Sequence, residues 1–524
     1  MGRRIRWLGV VMILCFALIC VQLGNIQFAK GQKLATSPYN PQVAVLKYDN
    51  PRGSIYAADG TTVLAKSVRT TAGKYKYLYH YIRQYPDGPL YAGITGYDSP
   101  LYYGTRGVEE EYDAQLSSHS RGPQNLSQLI FGEKVPSVTD DVTLTVQPGL
   151  QQAAWDALTT LPPGNNKDGA VVVLDPTTGA VEAMVSNPTY DPNVMVSPSL
   201  SAEQLAYLSY TTKDHEGFYP LVPIATGERF APGSTFKVIT STAAYNLKPS
   251  LAHFDYPVQA CQRFTDSNSP LCDQSGPCGG TMVSMLPASC DPGYGELGVQ
   301  EGVSVLEKQA ELFGYNTVPG IDLPGVVASV FPNLPANSDA FLAYSAIGQY
   351  NVQATALQNA MVAAGIADGG VVMTPHLMSQ IHDSQGNVVE TYAPKALPRS
   401  ATQQAATQVT ALMEGVVKDG TASGVGFPSY LCAAVKTGTA QTNPSQKVTE
   451  TWMIGFAPAN DPKVAVAVVV PEQDIASDGA QVAGPIMKKV LEAAVPPGST
   501  SSNCTVTASP IHNAVAATPT GAQT

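Results

Sequence analysis

The chain is organised around one stretch, Ala231-Pro232-Gly233-Ser234-Thr235-Phe236-Lys237, which an apolar run follows. Pro232 and Gly233 indicate a turn, so a helix is expected to begin at or near Ser234. Residues three apart lie on the same face of a helix, which places Lys237 beside Ser234. A serine hydroxyl becomes a good nucleophile when a neighbour takes its proton, and a partly neutral lysine can do so. Because S-x-x-K is common by chance, an exposed lysine at a helix start is the alternative.

Composition and charge exclude some classes of function. The 524 residues suffice for two or three domains, and 44% hydrophobic residues fit a globular protein. The net charge is −11 and no basic run follows residue 6, so the electrostatic footprint of a nucleic-acid-binding protein is missing. The sequence contains no C-x-x-C or H-E-x-x-H pattern and its seven histidines are scattered. We therefore expect no metal site.

The first residues predict a membrane anchor. Arginines at positions 3, 4 and 6 precede Trp7–Leu23, a stretch without charge. As a helix it would span roughly 25 Å, slightly short of a bilayer unless residues 24–26 extend it. The arginines place the N-terminus in the cytoplasm, and the lack of a small-x-small site argues against a cleaved signal peptide. We expect residues 1–24 to be a cytoplasmic tip and a single-pass anchor, with the catalytic part of the chain outside the membrane.

Residues 25–140 are predicted to form a β-rich pedestal. A strand at Ile55-Tyr56, the turn Asp59-Gly60 and a returning strand at Thr61–Ala65 are typical of a hairpin. Tyrosines are frequent over residues 73–113, and we interpret them as a partly buried surface layer.

Residues 141–495 are predicted to form an α+β domain. Strand patterns form hairpins near its two ends, at Ala170–Val185 and Trp452–Val470, and mostly helical patterns lie between them. We expect distant segments to complete one sheet. Residues 496–524 have almost no bulky apolar side chains and are predicted to be disordered, although a disulfide at Cys504 could tie them down.

Two further segments complement Ser234. An apolar strand is predicted at Leu431–Val435, and its far end leads into Lys436-Thr437-Gly438-Thr439. This end offers an ammonium group and hydroxyls for a carboxylate, and its glycine lets a substrate approach. The other segment, Ser289-Cys290-Asp291, offers a hydroxyl and a carboxylate on a loop after a cysteine-rich segment. Six cysteines follow the anchor, and the sequence does not determine which of them pair.

These residues resemble the three motifs of penicillin-recognising serine acyltransferases: Ser234-x-x-Lys237, Ser289-x-Asp291 and Lys436-Thr437-Gly438. Their order and their spacing, roughly 50 and 150 residues, match that family's transpeptidase domain. Other segments are similar to class B penicillin-binding proteins, including Arg52-Gly53-x-Ile55, Glu111-Tyr112 and Ile347-Gly348-Gln349. The resemblance implies an antiparallel sheet with helices on both sides and an all-helical part, carried on a pedestal with one transmembrane helix.

The resemblance also implies a reaction. Ser234 would attack the penultimate D-alanine carbonyl of a peptidoglycan stem peptide, release the terminal D-alanine, and pass the acyl group to a neighbouring amine. Lys237 would be the base and Ser289 would relay a proton to the leaving amine. Lys436, Asp291 and the substrate-binding residues Thr437, Gly438 and Thr439 complete the site, with the Ser234 and Thr439 amides as oxyanion hole. No cofactor is implied, and β-lactams would acylate Ser234.

One departure leaves alternatives open. Asp291 stands where the family most often has asparagine, and a carboxylate beside Lys237 would hold that lysine protonated more firmly. A catalytically silent module that regulates a glycan polymerase is therefore an alternative, as is a β-lactam sensor or hydrolase. The resemblance implies that the pedestal binds a SEDS-family glycosyltransferase. The sequence does not decide between roles in cell elongation, division and sporulation.

Overall fold

The computed structural model describes residues 2–24, 50–70, 80–99, 104–120, 137–162, 165, 167–214, 216–264, 266–267, 269–335, 338–443, 448–498 and 504. Most of the tail that is predicted to be disordered lies outside these residues. The strands are β1 (Ile55–Tyr56), β2 (Val63–Arg69), β3 (Tyr81–Gln84), β4 (His119–Ser120), β5 (Ser137–Val138), β6 (Asp141–Leu144), β7 (Gly169–Leu174), β8 (Val181–Asn187), β9 (Tyr256–Gln259), β10 (Cys261–Gln262), β11 (Leu271–Cys272), β12 (Cys278–Gly280), β13 (Met378–His382), β14 (Val388–Thr391), β15 (Ala434–Asn443), β16 (Val448–Ala457) and β17 (Val464–Asp474).

The α-helices of the described residues are α1 (Gly2–Gly24), α2 (Gly88–Thr95), α3 (Val108–Glu111), α4 (Asp113–Leu116), α5 (Pro148–Thr159), α6 (Pro192–Met195), α7 (Leu200–Tyr210), α8 (Ile224–Gly227), α9 (Lys237–Leu247), α10 (Met282–Ala288), α11 (Asp291–Glu301), α12 (Val303–Leu312), α13 (Asp339–Ala346), α14 (Ala356–Ala367), α15 (Gln403–Lys418) and α16 (Ala483–Ala494). As its Pro148 predicts, α5 begins with proline in its first turn.

A five-stranded antiparallel sheet forms the centre of the predicted α+β domain, residues 141–495, which is named the catalytic part below. Its order is β15-β16-β17-β7-β8, so strands from residues 169–187 and 434–474 lie side by side. This confirms the prediction that distant segments complete one sheet. The side chains of Val464–Val470 are all buried, which means that both faces of β17 are covered.

Helices cover this sheet on both sides. Helix α14 packs across β7, β16 and β17, whereas α5 and α16 pack on each other and on the same sheet. A helical part lies beside them, in which α9 contacts α11, α12 and α15. The predicted α+β architecture with an all-helical part is therefore confirmed.

A second sheet of six strands has the order β14-β13-β6-β1-β2-β3. The predicted hairpin is present, since β1 pairs antiparallel with β2. Strand β1 also runs parallel to β6, and β13 pairs with β6 on the other side. Strands from both sides of the predicted boundary at residue 140 therefore share one sheet.

A buried group of four charged side chains and one tyrosine, named the pedestal cluster, lies beside this sheet. Its members are Arg52, Arg83, Asp98, Glu109 and Tyr85. Arg52 Nε and Arg83 Nε donate to the two oxygens of Glu109 at 2.6 and 2.5 Å. Burial alone would lower the pKa of Arg52, but nearby carboxylates of Asp98 and Glu109 more than offset this and raise it. Among the described tyrosines of this region, Tyr85, Tyr91, Tyr97 and Tyr112 are more buried than predicted, with Tyr85 1% exposed, whereas Tyr81 is partly exposed.

Three disulfides fix pairings that the sequence left open. Cys261–Cys272 joins β10 to β11, and Cys278–Cys290 ties β12 to the residue before α11. The third, Cys432–Cys504, attaches the C-terminal segment next to β15. The first disulfide lies within residues 255–280, named the insert below, and the second ties this insert to the start of α11.

The N-terminal helix α1 carries exposed apolar side chains, among them Trp7 at 71% and Phe16 at 69% exposure. Among the residues that the structure describes, no helix is both long and apolar enough to cross a membrane.

Candidate active site

Ser234 lies in a 3-10 turn, Gly233–Phe236, and Lys237 is the first residue of α9. The helix start is therefore close to where the sequence places it, with a tighter turn in front. Gly233 has φ of +52°, and a Cβ on it would lie 2.8 Å from the carbonyl oxygen of Thr439. Glycine is thus required both by the left-handed backbone and by the close approach of β15. Trp452 Nε1 donates to the carbonyl of Ala231 at 3.0 Å and holds the turn on the sheet.

Ser289 ends α10 in a left-handed conformation with φ of 59°, and Asp291 begins α11. The two helices therefore meet at a sharp bend that points both side chains toward Lys237. Between them, Cys290 is fully buried and bonded to Cys278.

Strand β15 differs from its prediction. Leu431 belongs to a short 3-10 turn, and the strand runs over Ala434–Asn443, so Lys436 lies near its beginning and not at its far end. Pairing with β16 continues through the whole Lys436–Thr439 motif, which makes the motif part of the rigid sheet. A Cβ on Gly438 would lie 2.8 Å from the Pro232 carbonyl oxygen, so this glycine allows strand and turn to touch.

The two lysines meet at Ser289. Lys237 Nζ donates to the Ser289 carbonyl at 2.5 Å, to Asp291 Oδ1 at 2.6 Å and to Ser289 Oγ at 3.3 Å. Lys436 Nζ donates to Ser289 Oγ at 2.9 Å and to the Thr437 carbonyl at 2.9 Å. Both lysines have 0% exposure. A hydrogen-bonded line therefore connects two fully buried lysines, Lys237 and Lys436, through the hydroxyl of the partly exposed Ser289.

This arrangement perturbs Lys436. Burial and the neighbouring Lys237 lower the pKa of Lys436 well below its usual value, although Asp291 and Asp273 oppose the shift. Burial and the second cation therefore favour the neutral form of the Lys436 amine. A neutral amine at one end of the line can receive a proton that enters at the other end.

The remaining predicted residues line the same strand. Thr437 Oγ1 lies 2.6 Å from Thr421 Oγ1, and Thr439 Oγ1 accepts from the Gly479 amide at 3.2 Å. Hydrogen bonds thus bring together Lys237, Ser289, Asp291, Lys436 and Thr437. Ser234, Gly438 and Thr439 lie at the contact between the turn and β15.

Sequence reasoning missed several residues that shape the site. Asp273, in the insert, accepts a hydrogen bond from the Asp291 amide at 3.0 Å. Thr421 and Gly479 contact the motif strand from other loops. None of these positions stands in a recognisable motif, and no local pattern reports a contact between distant loops.

Asp273, Cys278 and Cys290 have potential metal-ligand atoms within 4.8 Å of one another. The two sulfurs are joined in a disulfide and cannot act as thiolates. This group therefore does not provide a thiolate site.

Two known protein-family descriptions match this chain. The family description "Penicillin binding protein transpeptidase domain" matches residues 169–492, and "Penicillin binding protein A dimerisation domain" matches residues 52–137. The chain belongs to the penicillin-binding proteins with a transpeptidase domain, as its three motifs indicate.

Individual proteins of this family are similar to the chain over most of its length. The chain is 34% identical to the peptidoglycan D,D-transpeptidase PbpA of Mycolicibacterium smegmatis over 518 residues, which cover 95% of this chain and 100% of that protein. It is similar to penicillin-binding protein A from M. tuberculosis in its ceftriaxone acyl-enzyme complex, with a TM-score of 0.76, 31% identity, and coverage of 86% of this chain and 100% of that one. The penicillin G acyl-enzyme complex of that protein gives a TM-score of 0.73 at 32% identity, covering 85% and 99%.

Proposed function

We propose that this chain is a peptidoglycan D,D-transpeptidase that cross-links stem peptides through an acyl-enzyme on Ser234 and that β-lactams inhibit. The observation that carries the proposal is the hydrogen-bonded line from the buried Lys237 through Ser289 to the buried Lys436, which starts at the residue after the Ser234 turn. Two buried lysines that share a hydroxyl favour proton transfer over a purely structural role, because among the described residues Lys436 has no carboxylate within hydrogen-bond distance, only the Ser289 hydroxyl and Thr437.

The acylation step begins with Ser234. Its Oγ attacks the carbonyl carbon of the penultimate D-alanine while Lys237 takes the hydroxyl proton. Lys237 can accept that proton once it has passed one of its own along Ser289 Oγ to the neutral amine of Lys436. The proton returns through Ser289 to the nitrogen of the terminal D-alanine as the C–N bond breaks. The acyl–Oγ bond replaces that amide bond, so atoms and charge balance.

Substrate and transition state are held by β15 and the turn. A terminal carboxylate lies against Lys436, Thr437 and Thr439, where a proton received by Lys436 strengthens the attraction. The amides of Ser234 and Thr439 stabilise the oxyanion, and removing one such donor typically costs about 10²–10³ in rate. An amine from a second stem peptide then attacks the acyl-enzyme by the same proton route in reverse.

In this proposal the segments outside the catalytic part attach the protein to the membrane and bind a partner protein. The N-terminal segment attaches the chain to the cell membrane with its catalytic part outside. The exposed apolar side chains of α1 and the arginines in front of them support this. The pedestal binds a SEDS-family glycosyltransferase. Detergent extraction of cell membranes tests the attachment, since deletion of residues 1–24 should release the protein, and release of the intact chain by carbonate alone would contradict it.

Intact-protein mass spectrometry tests the chemistry. The full chain is incubated with benzylpenicillin beside Ser234→Ala, and we expect one adduct on the parent and none on the variant. A persistent adduct distinguishes a transpeptidase from a β-lactam hydrolase, and incubation with stem peptides and an acceptor amine should release D-alanine. A parent chain that gains no mass would favour the catalytically silent module.

A further inference from the structure

The insert contributes a second carboxylate to the active site. Asp273 Oδ2 accepts the backbone N–H of Asp291 at 3.0 Å, and its Oδ1 accepts the N–H of Ser275 at 2.9 Å. The Asp273 amide in turn donates to the Ala260 carbonyl at 2.9 Å, which fixes the residue within the insert. Each carboxylate oxygen therefore has a defined partner, one in the insert and one at the start of α11.

Helix α11 depends on this contact. The first amides of a helix lack intrahelical acceptors, and a side chain just before the helix usually satisfies one of them. Cys290 occupies that position, but its sulfur is bonded to Cys278 and it does not cap the helix. Asp273, from a different segment, supplies the acceptor that a capping side chain would provide. Its negative charge also stabilises the helix, because it interacts favourably with the helix dipole at the N-terminus.

The amide that Asp273 holds belongs to the residue that contacts Lys237. Asp291 Oδ1 lies 2.6 Å from Lys237 Nζ, and Ser289, two residues earlier, contacts both lysines. A small displacement of the start of α11 would lengthen all of these contacts at once. Misplacement of about 1 Å in a catalytic group can cost on the order of 10²-fold in rate.

Charge adds a second consequence. The charged groups that act on the pKa of Lys436 are Lys237 from α9, which lowers it, and two carboxylates that raise it, Asp291 from α11 and Asp273 from the insert. The charge of Asp273 opposes the lowering of the Lys436 pKa. Loss of this charge would make Lys436 release its proton at a lower pH.

We propose that Asp273 is a positioning residue for acylation: it caps α11, aligns Ser289 and Asp291 with the two lysines, and supplies the second negative charge of the site. The inference rests on the proposed transpeptidase function. It gives the insert a role in the reaction, since Asp273 reaches α11 only because the insert folds back beside it.

The test compares Asp273→Ala, Asp273→Asn and Asp255→Asn in the full chain. Asp255 is an exposed carboxylate of the same insert and serves as the control for a lost charge. The second-order rate of acylation by a fluorescent penicillin is measured from acidic to alkaline pH, together with the melting temperature.

We expect Asp273→Ala to acylate about 10- to 100-fold more slowly, because the first amide of α11 loses its charged acceptor and the contacts of Ser289 and Asp291 with the lysines lengthen. Asp273→Asn keeps an oxygen for that amide, so its maximal rate should stay within about threefold while the acid limb of its profile moves to lower pH. Asp255→Asn should match the parent. An unchanged Asp273→Ala overturns the proposal, and so does a slowed Asp273→Ala with an unmoved Asp273→Asn profile. If the parent itself is not acylated, the proposed function fails instead.

Discussion

Two buried groups of charged side chains lie in this chain, one in the pedestal and one beside Ser234. The pedestal cluster pairs arginines with carboxylates, and Glu109 accepts from both Arg52 and Arg83. The active site joins two lysines through one serine hydroxyl. The cations of both groups are buried, but in the pedestal cluster they pair with a carboxylate and beside Ser234 they share a neutral hydroxyl.

The difference follows from the cations. A guanidinium stays charged at any physiological pH and forms planar, directional pairs, so the pedestal cluster can fix structure but cannot move a proton. An ammonium on a flexible stem loses its proton when it is buried near another cation. The lowered pKa of Lys436 is the result of that arrangement. Mutations in the pedestal cluster should consequently change the free energy of unfolding, and mutations beside Ser234 should change the rate of acylation.

The largest expected effect is that of Lys237→Met. Removing the proposed base should lower the acylation rate by about 10²–10⁴, because general base catalysis contributes that much. The measurement is the rate of fluorescent penicillin labelling, with the melting temperature as a check that the fold persists. Acylation within threefold of the parent would show that the lysine is not the base.

Glu109→Gln should act on stability alone. It leaves the buried Arg83 guanidinium with a neutral partner, although Arg52 keeps its contacts with Asp98 and Asp113. Breaking a buried ion pair in this way costs about 3–5 kcal/mol. Denaturant unfolding followed by circular dichroism measures the loss, with exposed Glu110→Gln as the matched control. The acylation rate per folded molecule should stay at the parental value. A reduced rate in fully folded protein would mean that the two groups are not independent.

Asp291→Asn should shift the pH dependence of acylation. Asp291 opposes the lowering of the Lys436 pKa, so its neutralisation lowers that pKa further. Lys436 then becomes neutral at lower pH, and the acid limb of the rate profile should move down by about one pH unit. A shift to higher pH, or none, would contradict the assignment of this limb to Lys436.

The smallest expected effect belongs to Tyr85→Phe in the pedestal cluster. The Tyr85 hydroxyl accepts from the Asp98 amide at 2.9 Å and donates to Glu109 at 3.2 Å. Loss of these two contacts should cost about 1–2 kcal/mol and leave the pH profile of acylation unchanged. A loss of unfolding free energy as large as that of Glu109→Gln would mean that the tyrosine, and not the ion pairs, contributes most of the stability of the cluster.

Most of the active site could be predicted from the sequence because each motif is local. Ser234 and Lys237 share a turn, and Ser289 and Asp291 flank a single residue, so their spacing encodes their geometry. The strand pairs at both ends of the catalytic part were predictable for the same reason, since alternating and continuous apolar runs report burial directly.

The rest depends on contacts between distant segments. Asp273 reaches the Asp291 amide across two loops, and nothing near Asp273 in the sequence marks that partner. The tyrosines at 85 and 97 were predicted as a partly buried layer, whereas both are almost fully buried, because composition does not reveal what a ring packs against. Strand β13 could not be assigned to the six-stranded sheet either, since its partner β6 lies more than two hundred residues away, and β14 joins that sheet only through β13.

The shared six-stranded sheet restricts how this protein can be divided. A fragment that began at residue 141 would keep β6 and β13 but lose β1, which pairs along the other edge of β6. That edge would then present unpaired N–H and C=O groups, a template for joining a second chain. A well-behaved soluble fragment of this enzyme therefore has to start before Arg52, and exchanging its pedestal for that of a relative would require replacing strands on both sides of the cut.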